Sequence, residues 1–363
     1  MASTQSAERI FPAKTGKRAL AGIPADNIGL DWAMAICTCI ITFGLFIDGW
    51  AHNHDKVDDS FFTPWHALLY GSIAAAGLLL IYTHFRNVGR GHRWRQALPY
   101  GYGLSLAGFF IFATGGVADL IWHEIFGFEE GLEALLSPSH LLLAVSGLMI
   151  MTGPIRAMWR RADTEQSWRG LLPAILAFAC ITSVFTFFTT FAAVSSEFIA
   201  LTGARPEDHT LTDVYGIIAL VMHANILLAV VLFMARRWRL PFGAVTLLFV
   251  ANSLLMTWMH VLEPGDFIFV ISAGAAGLLG DWLLRRDSLD ETGSFRRFAI
   301  ILPFVYCLGA LLMTQILGTN VWGTGGLWWL IHMWLGVPLL AAAFGYGLSM
   351  LMRPPVSIDP GTL

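Results

Sequence analysis

The sequence predicts an all-α, polytopic integral membrane protein: about ten transmembrane helices built from in–out–in helix hairpins, with both termini cytoplasmic. Three observations predict it. Only 13% of the 363 residues are charged while 56% are hydrophobic, roughly half the charge fraction of an ordinary soluble chain. Apolar runs of roughly 20 residues, the length a helix needs to cross a bilayer, recur throughout. The positive charges also fall at every second break between those runs, as in a chain that weaves through a membrane.

The expected spans are 28–50, 63–85, 97–123, 138–158, 170–200, 210–235, 241–262, 265–285, 295–317 and 325–352. Gly and Pro recur inside them, which membrane helices tolerate. The first 27 residues are polar and basic, and no small-residue cleavage site follows the first apolar run. That favours a retained first span over a removed signal peptide. The organisation is then a cytoplasmic segment at 1–27, a two-hairpin repeat at 28–158, further transmembrane hairpins at 159–352 and a cytoplasmic tail at 353–363.

Arg9, Lys14, Lys17 and Arg18 precede span one, and Arg86, Arg90, Arg93 and Arg95 follow span two. Arg156, Arg160, Arg161 and Arg169 follow span four, and Arg236, Arg237 and Arg239 follow span six. Arg285, Arg286, Arg296 and Arg297 follow span eight, and Arg353 follows span ten. Of the 22 Lys and Arg only Lys56 and Arg205 lie opposite, which makes the crowded side cytoplasmic and implies a multi-pass cell (inner) membrane protein. No basic stripe of the kind that binds nucleic acid is present. Cys37, Cys39, Cys180 and Cys307 all lie in apolar runs without C-x-x-C spacing and read as small hydrophobes.

The polar chemistry gathers on the outer half. The stretch "FIDGWAHNHDKVDDSFFTPWHALLYG" places Asp48, His52 and His66 in one hairpin, and "GVADLIWHEIFGFEEGLEALLSPSHLLLAVSG" places Asp119, His123 and His140 in the next. On a helix, Asp48 with His52 and Asp119 with His123 share a face at i, i+4. Thr63 and Ser137 fit N-caps, Pro64 and Pro138 fit the first helical position, and His66 and His140 then fall in the first turn. Each hairpin can thus converge two imidazoles and a carboxylate, a donor set suited to copper, iron or zinc that leaves positions open for water, O2 or substrate. Ionisable groups at this depth are costly and usually functional. The plainer alternative is an Asp that merely orients a His ring at an interfacial, hydrated position.

A weaker third copy lies in "WMHVLEPGDFIFVISAGAAGLL", with His260 and Asp266 either a further site or a structural hydrogen bond; the fifth and sixth spans carry only "RPED" with Glu197 before it. His54, Asp55, Asp58 and Asp59 read as solvated loop residues. His223 and His332 are lone and read as satisfied or pathway histidines. Trp50, Trp65, Trp122, Trp258, Trp328 and Trp329 fit an aromatic belt, although Trp50 and Trp122 could also wall a site.

Asp48-x3-His52-x13-His66 and Asp119-x3-His123-x16-His140 resemble the two successive metal motifs of the C subunit of copper membrane monooxygenases, the methane- and ammonia-oxidising family. The resemblance covers roughly residues 40–150. It implies that each trio ligates a metal. The second motif opens with Asp where the family typically has Asn, its last spacing is longer, and the chain has more spans than that subunit.

Three functions follow as expectations. The first is a copper- or iron-centred, monooxygenase-like oxidoreductase. It would act on a small apolar or lipid-soluble substrate in the bilayer, alone, as a homo-oligomer or with other membrane subunits. The second is a metal-ion or small-solute transporter using the same cluster, with His223, Asn225, Asn252 and Asp281 as its trail. The third is a zinc-dependent membrane hydrolase with Glu124 as a general base.

Overall fold

The computed structural model describes residues 22–54, 56, 62–127, 135–161, 165–192, 199–260 and 264–354. Among them the chain is helical. The helices are α1 Ile28–Asn53, α2 Pro64–Gly89, α3 Tyr102–Phe126, α4 Pro138–Met151 and its continuation α5 Gly153–Arg160, and α6 Trp168–Phe188. They continue as α7 Thr210–Arg237, α8 Ala244–His260, α9 Ile268–Arg286, α10 Thr292–Asn320 and α11 Ile331–Met352. Nine of the described helices, counting α4–α5 as one, are long and apolar enough to cross a membrane. This is the build of a multi-pass membrane protein. The expected seventh span appears as α8, an apolar helix of 17 residues, about 26 Å at 1.5 Å per residue.

Two spans are shorter than their apolar runs suggest. The fifth, expected to reach residue 200, ends at Phe188 and is followed by a 3-10 turn at Thr190–Ala192. There the hydroxyl of Thr189 turns back to the Phe185 carbonyl at 3.1 Å, and that of Thr190 is committed to His260. The tenth, expected from residue 325, begins at Ile331. The residues before it are extended and pair with the chain around Leu201. Gly203 N donates to Gly326 O at 3.0 Å and Trp328 N to Leu201 O at 3.1 Å, while Thr202 bridges Leu327. Gly325, at φ +107°, supplies a backbone conformation that other residues rarely adopt.

Successive helices pack as hairpins: α1 on α2, α3 on α4, α8 on α9 and α10 on α11. Helix α6 packs between α1 and α8 and is the most enclosed span, with 78% of its apolar window buried against 28% for α3. The exposed faces are oily. On α3, Leu104, Phe110, Val117, Ile121 and Ile125 all lie open, as bilayer-facing residues would.

The connections gather at two ends. At the basic end Arg237 donates to the Trp159 carbonyl at 3.0 and 2.8 Å. Trp168 Nε1 donates to the Phe242 carbonyl at 3.1 Å, and Arg161 meets Asp31. Asp281 accepts from Val245 N, Thr246 N and the Thr246 hydroxyl at 3.1, 3.0 and 2.6 Å, so it caps the start of α8. At the opposite end Trp329 Nε1 donates to Asp213 at 2.6 Å and Trp322 Nε1 to Asp266 at 2.7 Å. The His and Asp motifs lie at this second end. The thiols are free, with Cys180 and Cys307 buried.

Candidate metal centre

Each hairpin is assembled by the same local rules. Thr63 Oγ1 accepts from His66 N at 3.2 Å, and Ser137 Oγ accepts from His140 N at 3.3 Å. Both cap residues are buried, with Pro in the first turn behind them. A capping oxygen satisfies one of the four N–H groups that every helix start leaves open. It also fixes the third residue of the helix, here a histidine.

Glycine lies where the two strokes of each hairpin meet. A Cβ at Gly44, one turn before Asp48, would stand 3.0 Å from the Cα of Leu69, which lies three residues beyond His66. A Cβ at Gly115, one turn before Asp119, would stand 3.1 Å from Leu143 Cδ2, three residues beyond His140. The repeat is therefore G-x3-D-x3-H; at Gly44 the glycine lies against the backbone of the returning helix, whereas at Gly115 it meets only a leucine side chain. Sequence reasoning missed this element, although the spacing is visible in "GLFIDGWAH" and "GGVADLIWH".

The result is two groups. Asp48, His52 and His66 offer ligand atoms that all lie within 4.8 Å of one another, and so do Asp119, His123 and His140. His66 Nε2 lies 3.4 Å from Asp48 Oδ1. His140 Nε2 and His123 Nε2 lie 3.2 and 3.7 Å from Asp119 Oδ1. The groups differ in enclosure. His52 is exposed, whereas Asp119 is 1% exposed and His123 9%.

The second group meets a test of fit for a cation. Asp119 Oδ1 is buried and makes no hydrogen bond, yet two imidazole nitrogens face it. Its other oxygen, Oδ2, accepts from the Tyr70 hydroxyl at 3.1 Å. His123 Nδ1 lies 3.2 Å from the carbonyl of Gly127, an arrangement that turns Nε2 toward the carboxylate and is common behind metal-ligating histidines. Gly127 ends α3 at φ +81°, where only glycine sits without strain. Neither Tyr70 nor Gly127 was singled out from the sequence. A Gly four residues after a terminal His was the available signal for the second; the first depends on contact between hairpins.

Aromatic rings cluster at the end of α1. Trp50 stacks on His54 and Trp258 at 4.8 and 6.2 Å and meets Trp65 edge-on at 6.0 Å. His54, expected in solvated loop, caps α1 with Nδ1 at 2.8 Å from the Trp50 carbonyl.

The remaining candidates lie apart. His260 has both ring nitrogens engaged, Nδ1 at 2.8 Å from Met256 O and Nε2 at 2.8 Å from the Thr190 hydroxyl. Asp266 accepts from Trp322. Glu124 is exposed and belongs to neither group. His223 is buried, with Nε2 at 2.7 Å from Asn252 Oδ1; Asn252 in turn donates to Ser183 and Thr186 at 3.2 and 2.7 Å. His332 is exposed at the start of α11. Asp55, Asp58, Asp59, Glu129, Glu130, Glu133, Glu197 and Glu263 lie outside the described residues, as do Arg9, Lys14, Lys17 and Arg18.

No protein-family model matches this chain, and comparison with curated proteins and with solved structures likewise finds no match.

Proposed function

We propose that this chain is a metal-dependent oxidoreductase of the cell (inner) membrane, monooxygenase-like, with ten spans, cytoplasmic termini and its metal centre at the extracytoplasmic boundary. The observation that carries the reading is the pair of Asp/His/His groups, one of them with a buried carboxylate oxygen left unbonded between two imidazoles. Nitrogen-rich sites without thiolate suit copper or iron, and zinc as well. Three protein ligands leave coordination positions open. A copper or iron ion held there would supply redox chemistry toward O2 and a small apolar or lipid-soluble substrate. The chain's own part is to hold His123 by its far nitrogen and to set His66 and His140 on capped helix starts.

The transport reading is second. His223, Asn252, Ser183 and Thr186 form a buried polar group beside a cavity of about 10 Å³ that Tyr306 and Ser253 also line, room for about one water. The trail is weakened at Asp281, whose oxygens are taken by the start of α8.

Elemental analysis of freshly purified protein decides between them. Copper or iron near two per chain, falling in parallel with His52→Ala and His123→Ala, is the expected result. Zinc in their place would direct the reading toward hydrolysis. A metal-free protein that catalyses ion counterflow in liposomes would overturn it in favour of transport.

A further inference from the structure

Tyr70 belongs by sequence to the first hairpin and by hydrogen bond to the second. It lies on α2 one turn beyond His66, and the two rings meet edge-on with centroids 6.1 Å apart. Its hydroxyl reaches across to α3 and donates to Asp119 Oδ2 at 3.1 Å. A notch in α3 seats the ring. It packs edge-on against Phe112 at 5.5 Å, and a Cβ at Gly116 would stand 2.7 Å from its Cε1. The carboxylate it holds is nearly inaccessible. Oδ2 carries the phenol's hydrogen bond, and Oδ1 is the oxygen at 3.7 and 3.2 Å from His123 and His140.

Resting on the metal reading above, we infer that Tyr70 is a positioning residue for the second metal site. It locks Asp119 as a one-oxygen ligand and ties that site to the helix that supplies His66 to the first. Hydrogen-bond partners behind metal ligands typically change affinity by about 10–100-fold. The phenol is supplied by the other hairpin, so its loss strikes one site and not the other. A ring that merely filled space would serve equally well as phenylalanine.

The test is cobalt(II) titration of the full-length chain in detergent, read by equilibrium dialysis and by the visible absorption of the bound ion. The native chain is expected to take up two ions. Tyr70→Phe keeps the ring and should retain one ion at native affinity while weakening the other by about 10–100-fold, with loss of one absorption component. Adding His52→Ala to that variant should remove the remaining tight ion. Gly116→Val, which displaces the ring while keeping its hydroxyl, should give the same selective loss. The inference is overturned if Tyr70→Phe binds both ions as tightly as the native chain, or weakens both equally. A native chain that takes up fewer than two cobalt ions removes the two-site reading itself, and the inference with it.

Discussion

Arg161 closes on Asp31 at 2.5 Å, joining the end of α5 to the first turn of α1 at the basic end of the bundle. Asp31 is 1% exposed, and the Tyr102 hydroxyl donates to its other oxygen at 2.6 Å. This is a three-residue clasp between the first and second hairpins, at the end of the bundle opposite the Asp/His/His groups.

Breaking the clasp from one side should be severe. Arg161→Ala strands a buried carboxylate, which costs about 3–5 kcal/mol when a paired charge is removed inside a protein. Arg161 is partly open to solvent, so the lower end of that range is expected. Thermal unfolding of the purified variant should fall by several degrees, and the double variant Asp31→Asn with Arg161→Ala should recover part of the loss. A single variant as stable as the native chain would show that the pair contributes nothing.

Gly44 offers a test of the hairpin geometry that leaves every Asp and His of the two groups in place. Gly44→Val places a branched side chain against the Leu69 backbone and pushes α2 from α1 beside Asp48. Metal uptake at the first group should be lost, and the second group, tied to α2 through the Tyr70 hydroxyl, should weaken less. Retention of both equivalents would mean that the close crossing is not what positions His66 against Asp48.

The proposed orientation predicts which turns a membrane-impermeant thiol reagent reaches. In a variant whose four cysteines are replaced, single cysteines at Lys56 and Arg205 should label in intact cells. Single cysteines at Arg93, Arg239 and Asp290 should label only after the membrane is opened. The opposite pattern would invert the topology and put the Asp/His/His groups on the cytoplasmic side.

The parts of this molecule that rest on near neighbours in the chain were legible in the sequence. Thr63 and Ser137 cap as their spacing with His66 and His140 requires, because capping is settled within four residues. Asp48, His52 and His66, and Asp119, His123 and His140, come together because each trio belongs to one hairpin. What the sequence left hidden depends on distant partners. Asp281 reads as one of a trail of intramembrane polar groups until α8 is seen to begin against it. His260 reads as a third copy of the motif until Thr190, 70 residues earlier, is found at its Nε2. The fifth apolar run continues past the end of its helix, since hydropathy reports burial in oil rather than the hydroxyls of Thr189 and Thr190 that mark the helix end.

Each set of donors is drawn from one short stretch of chain, and this has a consequence for biogenesis. When residue 66 has left the ribosome, every side chain of the first group exists, and Asp119 is not yet synthesised. The first hairpin can therefore close around a cation during insertion, using only its own caps and its own glycine crossing. The second hairpin can do the same later, and the Tyr70 hydroxyl then joins the two units.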